Sequence, residues 1–177
     1  MRMPALDFLR SIDCRAVVFD MDGVLADTEE FHLEAWIQLV EAHRLETGRE
    51  ELSEGMLTLV RDTFGQANDT IIPMLWEKAG RSPGAELAAL SLEKERCYRD
   101  CAGGRVRPMP GIEDFLELLN KENIPAAIGT SGPEENVSFL LEEFSWRNVF
   151  HSLVHRSRFK EGKPAPDCFL VAAEELG

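Results

Sequence analysis

One stretch predicts the fold of this chain, Arg-Ala-Val-Val-Phe-Asp-Met-Asp-Gly at residues 15–23. Its first half is a short β-branched and aromatic run, typical of a strand buried on both faces of a parallel sheet. Asp20 ends the run, and Gly23 stops the strand from continuing. Residues 15–20 are therefore predicted to form the first core strand, with the carboxylates of Asp20 and Asp22 at its carboxyl end.

The carboxylates of Asp20 and Asp22 lie two residues apart in the sequence, and this spacing indicates a catalytic role for the pair. Like charges this close repel each other unless a cation neutralises them or one carboxyl group holds a proton. A metal-bound carboxylate can attack phosphorus, and a protonated neighbour can supply a proton to the leaving oxygen. Taken alone, the pattern is equally consistent with a polar turn. A calcium loop is excluded, because Val24, Leu25 and Phe31 occupy positions that require an oxygen ligand, glycine and glutamate.

The rest of the chain alternates strands and helices around a purely helical block. Apolar residues at helical spacing fill residues 27–103, and Gly48 is predicted to end the first of these helices. Pro73 either begins or bends another helix. After a proline-rich linker, the pattern predicts strands over residues 124–128 and 149–154 and helices from Ile112, after Pro133 and after Pro164.

This order predicts an α/β fold, in which a Rossmann-like parallel sheet core carries an inserted helical cap domain. The core comprises residues 1–26 and 104–177, and the cap comprises residues 27–103. Strand–helix–strand units favour parallel strands with right-handed crossovers. Because the cap directly follows strand one, we expect it over the carboxyl end of that strand, where open α/β sheets bind ligands. Linkers at residues 23–26 and 103–108, both containing glycine, would let it move as a lid.

Composition excludes several classes of partner. The chain has 177 residues, 44% of them hydrophobic, which is enough for a packed core. Nineteen Lys and Arg against 32 Asp and Glu give a net charge of −13, which repels nucleic acid and anionic membranes. No apolar run approaches the ~20 residues of a membrane span, and residues 1–13 do not resemble a secretory signal.

The four cysteines fit neither a zinc ligand set nor a disulfide framework. Cys97 and Cys101 lie four residues apart on a predicted helix, and we interpret them as two half-buried thiols on one face. Free thiols favour a reducing compartment, so the sequence predicts a cytoplasmic protein.

Two further polar features follow later strands. Thr130 and Ser131 stand between a predicted strand and a helix begun by Pro133, where hydroxyls and free amides can bind an anion. Lys163 precedes the last helix. Each has a simpler explanation alone, helix capping for the hydroxyls and a solvated loop for the lysine. A parallel sheet, however, brings the carboxyl ends of its strands to one edge. There, Asp20, Asp22, these hydroxyls and this lysine would form a nucleophile, a proton donor and a phosphate cradle.

Three segments together resemble the motifs of a known family. They are residues 19–28, 129–131 and 162–167, which are similar to motifs one, two and three of the haloacid dehalogenase superfamily. The insert directly after motif one resembles its helical-cap class, and residues 31–36 are similar to the first cap helix of β-phosphoglucomutase and related sugar-phosphate phosphatases. The motifs are specific for the superfamily and only weakly specific for the substrate.

The resemblance implies a role for each motif residue. Asp20 would be the nucleophile that forms an aspartyl-phosphate, and Asp22 the general acid and then base. Mg²⁺ would be the cofactor, bound by the carboxylate of Asp20 and the backbone carbonyl of Asp22. Thr130 and Lys163, with Ser131 adjacent, would bind phosphate. The implied partner is a small phosphorylated metabolite.

The chain departs from the family pattern at its C-terminus. The family has a fourth motif, an acidic pair after the next core strand, and the sequence ends at residues 174–177, where that strand is expected to start. We therefore expect a chain truncated before motif four, with a sheet core incomplete at the C-terminus and a weakened metal site. In the family topology, Val17, Val18 and Phe19 would then lie on an open edge, which favours self-association.

The cap departs from the mutase pattern as well. The mutases carry an arginine in their substrate-specificity loop, whereas this chain has Asn68, which weakens the case for holding a second phosphate. Lys94 could supply a cap charge, and His32 could be a substrate or hinge residue. For both, an ordinary position on a helix surface explains the residue equally well.

Three functions follow from these patterns. The first is an Mg²⁺-dependent phosphatase of small phosphorylated metabolites, in particular sugar phosphates. The second is a hexose-phosphate mutase of the β-phosphoglucomutase type, in which a sugar hydroxyl replaces water. The third is a catalytically impaired fragment that at most binds a partner or dimerises.

Overall fold

The computed structural model describes residues 4–45 and 54–177. The predicted helix end at Gly48 lies outside these residues. The chain divides into two compact units, which we call the core unit (residues up to Asp27, with Arg107–Gly177) and the helical unit (Thr28–Val106). The sequence placed these boundaries after residues 26 and 103.

Helices and strands alternate in the core unit, and the helical unit contains helices. The helices are α1 (Pro4–Ser11), α2 (Glu29–Ala42), α3 (Glu54–Asp62), α4 (Asn68–Lys78), α5 (Leu87–Ala102), α6 (Ile112–Lys121), α7 (Glu134–Glu143) and α8 (Asp167–Leu176). The strands are β1 (Val17–Phe19), β2 (Ala26–Asp27), β3 (Arg107–Pro108), β4 (Ala126–Gly129) and β5 (Ser152–Val154). Single 3₁₀ turns lie at Gly84–Glu86 and Arg156–Arg158.

The core unit is built on a parallel three-stranded sheet in the order β1-β4-β5. All four residues of β4 are buried, as the central position requires. Helix α8 packs on this sheet, and Ala127, Val154, Cys168 and Ala172 are buried between them. The predicted Rossmann-like α/β core is confirmed.

Strand β1 forms one edge of this sheet. Within residues 4–45 and 54–177 it pairs with β4 alone. Phe19 is nevertheless buried, because its ring lies edge-on against Phe115 and Phe150. Val17 and Val18 are half-buried.

Several predicted boundaries are wrong by a few residues. Strand β1 covers residues 17–19 rather than 15–20, and β5 covers 152–154 rather than 149–154. Pro133 precedes α7 instead of forming its first residue, and α8 begins at Asp167. Helix α1 was not predicted at all, and its Leu9 is buried.

The segments predicted as linkers are partly ordered as a ribbon. Strand β2 pairs antiparallel with β3, and the N–H group of Met109 donates to the carbonyl of Leu25 at 3.0 Å. A two-residue strand carries no readable periodicity, so its pairing becomes visible only in the folded chain.

The helical unit has its own apolar core. Eleven buried side chains from helices and loops form it: Trp36, Leu39, Val40, Leu45, Met56, Val60, Ile71, Ile72, Leu75, Trp76 and Leu90. Pro73 lies inside α4, which begins at Asn68, so of the two alternatives for Pro73 the one in which a helix begins there is wrong. In the described ranges, no helix has the length and hydropathy needed to cross a membrane.

Candidate active site

Two of the predicted site residues, Asp20 and Thr130, come directly after neighbouring parallel strands. Strand β1 pairs with β4 so that Phe19 stands beside Ile128. The next residues along these strands are Asp20 and Gly129, and Thr130 follows. Because β1 and β4 are parallel, the chain leaves both strands at the same edge of the sheet, and Asp20 and Thr130 lie side by side there.

Asp20 and Lys163 form a close ion pair at this edge. The ammonium of Lys163 lies 2.6 Å from Oδ2 of Asp20, and the two side chains are 17% and 27% exposed. The other carboxylate oxygen, Oδ1, accepts a hydrogen bond from the N–H group of Met21 at 2.7 Å. The carboxylate predicted as nucleophile and the lysine predicted as phosphate ligand are therefore in direct contact, and both remain accessible.

A tight turn fixes the backbone around Asp22. Gly23 has a φ of +72°, in the left-handed region that favours glycine, and its N–H group donates to the carbonyl of Ala26 at 2.8 Å. The carbonyl of Met21 accepts from the N–H groups of Leu25 and Ala26 at 2.9 and 3.1 Å. Asp22 also forms a single β-bridge with Ala26. These bonds fix the backbone of Asp22 relative to that of Asp20.

Thr130 and Ser131 differ in their hydrogen bonds. The hydroxyl oxygen of buried Thr130 accepts a hydrogen bond from the N–H group of Gly132 at 3.1 Å, and because Gly132 lies before α7, this bond does not cap that helix. The N–H group of Thr130 donates to the carbonyl of Val154 at 2.9 Å. The Oγ of Ser131 is buried and has no hydrogen-bond partner within the described part of the chain. A buried hydroxyl without a partner is costly, so a ligand oxygen here would satisfy it.

Lys163 lies in a compact loop before α8. The Lys163–Pro164 peptide bond is cis. The N–H group of Glu161 donates to the carboxylate of Asp167 at 3.0 Å, which ties the loop to the first residue of the helix. The ammonium of Lys163 lies 5.0 Å from the ring centroid of Phe169. Asp167, although it lies in the third motif, and Phe169 were given no role from the sequence, because their roles depend on how the loop folds back on α8.

Cys168 is fully buried next to this site. Burial raises the pKa of its thiol, the nearby Lys163 ammonium lowers it and the Asp20 carboxylate raises it further. The thiol therefore stays protonated at neutral pH and is a poor nucleophile. All four cysteines are free, and Cys101 is buried while Cys97 is half-buried.

The three predicted cap residues come together inside the helical unit. Nζ of Lys94 lies 2.7 Å from Nδ1 of His32 and 3.0 Å from Oε1 of Glu95. The amide of Asn68 donates to that same Glu95 oxygen at 2.7 Å and to the hydroxyl of Ser91 at 3.0 Å.

Two of these cap residues, His32 and Lys94, are buried, so the interpretation of them as ordinary helix-surface residues is wrong. Lys94 is 3% exposed and His32 is 8% exposed. The His32 ring stacks on Tyr98, with 3.9 Å between centroids. Glu95 was not among the predicted site residues, although an acid beside Lys94 in the sequence was the one available sign of a paired charge.

Asp20 and Asp22 are the candidate metal ligands. In residues 4–45 and 54–177, no three His, Cys, Asp or Glu side chains form a group that could hold a metal ion. Mg²⁺, however, is bound in many phosphoryl-transfer sites by one or two carboxylates, with waters and substrate phosphate completing its shell. Two carboxyl groups beside the Lys163 ammonium and the Ser131 hydroxyl, the candidate phosphate ligands, fit that kind of site.

Comparison with known proteins identifies the family. The model of a family described as haloacid dehalogenase-like hydrolase matches residues 14–177. The chain belongs to this family. The resemblance drawn from the three motifs is thereby confirmed, and the chain is a member of a family of enzymes.

Three relatives of the haloacid dehalogenase-like family illustrate the match. The phosphorylated carbohydrates phosphatase of Thermotoga maritima is 28% identical over 163 residues, covering 91% of this chain and 70% of its own length. The β-phosphoglucomutase of Bacillus subtilis is 30% identical over 165 residues, covering 92% and 70%. The crystal structure of CbbY from Rhodobacter sphaeroides in complex with phosphate matches with a TM-score of 0.77 at 25% identity, covering 92% of this chain and 72% of that one.

Proposed function

We propose that this chain is an Mg²⁺-dependent phosphatase of small phosphorylated metabolites, specifically sugar phosphates, and that it works through an aspartyl-phosphate on Asp20. The observation that carries the proposal is the 2.6 Å contact between Asp20 and Lys163. An accessible carboxylate next to a lysine, at the ligand-binding edge of a parallel sheet, can receive a phosphoryl group whose charge the lysine offsets.

The proposed chemistry has two steps. An oxygen of Asp20 attacks phosphorus, the bond from phosphorus to the sugar oxygen breaks, and Asp22 gives its proton to that leaving oxygen. Asp22 then takes a proton from water, whose oxygen attacks phosphorus. The bond from phosphorus to the Asp20 oxygen breaks, which releases inorganic phosphate and restores the Asp20 carboxylate. The Lys163 ammonium and the hydroxyl groups of Thr130 and Ser131 bind phosphoryl oxygens, and the hydroxyl oxygen of Thr130 also shapes the loop by accepting from the N–H group of Gly132.

The carboxylate of Asp20 and the backbone carbonyl of Asp22 would hold Mg²⁺, which leaves the Asp22 carboxyl group to carry the proton. When bound, the ion offsets the repulsion between an anionic carboxylate and an anionic phosphate. All of these donors are oxygen atoms, the type of ligand that Mg²⁺ prefers.

The helical unit favours a phosphatase over a mutase in this proposal. His32, Asn68 and Lys94 are proposed to contact the part of the substrate that does not react. The charge of Lys94 is already paired with Glu95, and the amide of Asn68 donates to the same carboxylate. A cluster with so little uncompensated positive charge suits sugar hydroxyls better than the second phosphate of a bisphosphate. The similarity to a β-phosphoglucomutase keeps the mutase as the second candidate.

Two further proposals concern the setting of the protein. The free thiols are compatible with a reducing compartment, and we propose the cytoplasm. The unpaired side of β1, as seen in the described residues, is proposed to pair with the same strand of a second copy, because an open strand edge presents N–H and C=O groups to any neighbour.

The test of the function is a substrate panel with a matched control. Phosphate release is measured from sugar phosphates with Mg²⁺, alongside isomerisation of a hexose 1-phosphate in the presence of its bisphosphate. Asp20→Asn should abolish turnover, whereas Asp114→Asn, which removes an exposed carboxylate on α6, should leave it intact. Isomerisation without phosphate release would favour the mutase. Full turnover in Asp20→Asn would reject both candidates.

A further inference from the structure

The aromatic ring of Phe169 lies beside the lysine of the candidate active site. The Nζ atom of Lys163 is 5.0 Å from the ring centroid and 2.6 Å from Oδ2 of Asp20. We propose that Phe169 is a positioning residue, which holds the Lys163 ammonium against Asp20 and the incoming phosphoryl group. This inference rests on the proposed function, since it concerns the lysine assigned there to phosphate.

The ring of Phe169 is held in place by the sheet. It is the third residue of α8, and its N–H group donates to the carbonyl of Pro166 at 2.9 Å. A Cβ atom built on Gly129, the last residue of β4, would lie 3.2 Å from Cδ1 of Phe169 and 3.1 Å from the carbonyl oxygen of Cys168. The absence of a side chain at Gly129 is what lets α8 approach the strand this closely.

The Phe169 ring also packs against buried apolar side chains. Phe169 lies against the apolar cluster formed by Ala127, Val154, Phe159, Cys168 and Ala172. The position of the Phe169 ring is therefore set by β4, β5 and α8 together and does not depend on Lys163. A ring held in this way can orient the flexible Lys163 side chain.

An aromatic face suits this position because it leaves the N–H donors of Lys163 free to bind oxygen atoms. A lysine has a four-carbon stem with many rotamers and three N–H donors. A ring face attracts the cation without the localised lone pairs of an oxygen acceptor. One donor can therefore serve Asp20 while the others remain for phosphoryl oxygens. A carboxylate at position 169 would compete for the charge, and an aliphatic side chain would fill the space without attracting it.

The experiment compares three variants of the full chain, with inorganic phosphate as the probe. Phe169→Leu removes the ring face, Phe169→Tyr keeps it, and Phe144→Leu removes a half-buried ring of the same unit that contacts Trp146 instead. Calorimetry measures phosphate binding, and thermal unfolding measures stability. We expect phosphate affinity to fall roughly three- to tenfold in Phe169→Leu. We expect the affinity of Phe169→Tyr and Phe144→Leu to stay close to that of the wild type.

A second measurement reports on the lysine directly. In the protein without phosphate, the ring current of Phe169 should move the NMR signals of the Lys163 ε-methylene protons to higher field. The displacement should vanish in Phe169→Leu and persist in Phe169→Tyr. A fold defect alone would lower stability, as we expect for Phe144→Leu, without removing this signature selectively.

The variant Lys163→Met distinguishes a failure of the proposed function from a failure of the positioning role of Phe169. If this variant binds phosphate as tightly as the wild type, the proposed function fails, because the lysine does not hold phosphate. If Lys163→Met loses binding while Phe169→Leu binds normally, the proposed function stands and the role of Phe169 is overturned. Loss of both binding and the methylene displacement in Phe169→Leu, with rescue by Phe169→Tyr, supports the positioning role.

Discussion

The substitution Gly129→Ala is expected to destabilise the core unit, although alanine is intrinsically the better strand residue. The new Cβ would lie 3.1 Å from the carbonyl oxygen of Cys168 and 3.2 Å from Cδ1 of Phe169. A backbone carbonyl cannot rotate away, so α8 must move by a few tenths of an ångström. Overpacking of this kind costs about 1–3 kcal/mol. Replacing glycine by alanine without strain returns only about 0.4–1 kcal/mol through the unfolded chain.

The substitution Gly132→Ala, three residues further along the chain in the loop after β4, is the matched control. Its Cβ would meet Met21 Cε and Thr130 Oγ1 at 3.5 Å, which are ordinary contacts, and its φ lies outside the left-handed region. It should gain the same entropy without the collision. The two variants should therefore differ in free energy of unfolding by about 1–3 kcal/mol, the cost of the collision alone.

Urea unfolding measures this difference, provided that both variants show the same denaturant dependence. Tryptophan fluorescence can follow the core unit through Trp146, which is buried there. If Gly129→Ala proves as stable as Gly132→Ala, then α8 does not press against the end of β4. The geometry that places Phe169 and Lys163 would then be wrong.

Three more predictions concern other parts of the molecule. Asp22→Asn should lower turnover roughly 10²- to 10⁴-fold, because it removes the proton donor while sparing the nucleophile; steady-state kinetics would show normal rates if the assignment is wrong. Lys94→Met should destabilise the helical unit by about 3–5 kcal/mol, because it removes the cation that lies against the buried Glu95 carboxylate. Adding Glu95→Gln should restore most of the loss in thermal unfolding, and equal stability of the single and double variants would contradict a buried pair. Sedimentation should show a mass that rises with concentration and falls in Val17→Lys, whereas a monomer at all concentrations would argue against pairing through β1.

The strands and their order of appearance could be predicted because their signals are local. The apolar run ending at Phe19 and the run before Thr130 are each typical of buried parallel strands. Parallel pairing then requires Asp20 and Thr130 to emerge at one edge, whichever side chains fill the sheet. The contact between Asp20 and Lys163 follows from the same topology.

What the sequence could not predict depends on long-range packing. The β2–β3 ribbon joins residues 26–27 to residues 107–108, and neither dipeptide carries a periodic pattern. Glu95 looks like a surface acid on α5 until the fold brings it to Asn68. The role of Phe169 depends on the cramped space at Gly129, which no pattern in α8 reveals.

The most direct test of the account is to look for the phosphoryl group on Asp20 itself. The chain is mixed with a sugar phosphate and Mg²⁺, quenched in acid during turnover, digested and analysed by mass spectrometry. The account predicts one added phosphoryl group on the peptide that contains Asp20 in the wild type and none in Asp20→Asn. Turnover with no phosphoryl group on that peptide, or with the group on another residue, would contradict it.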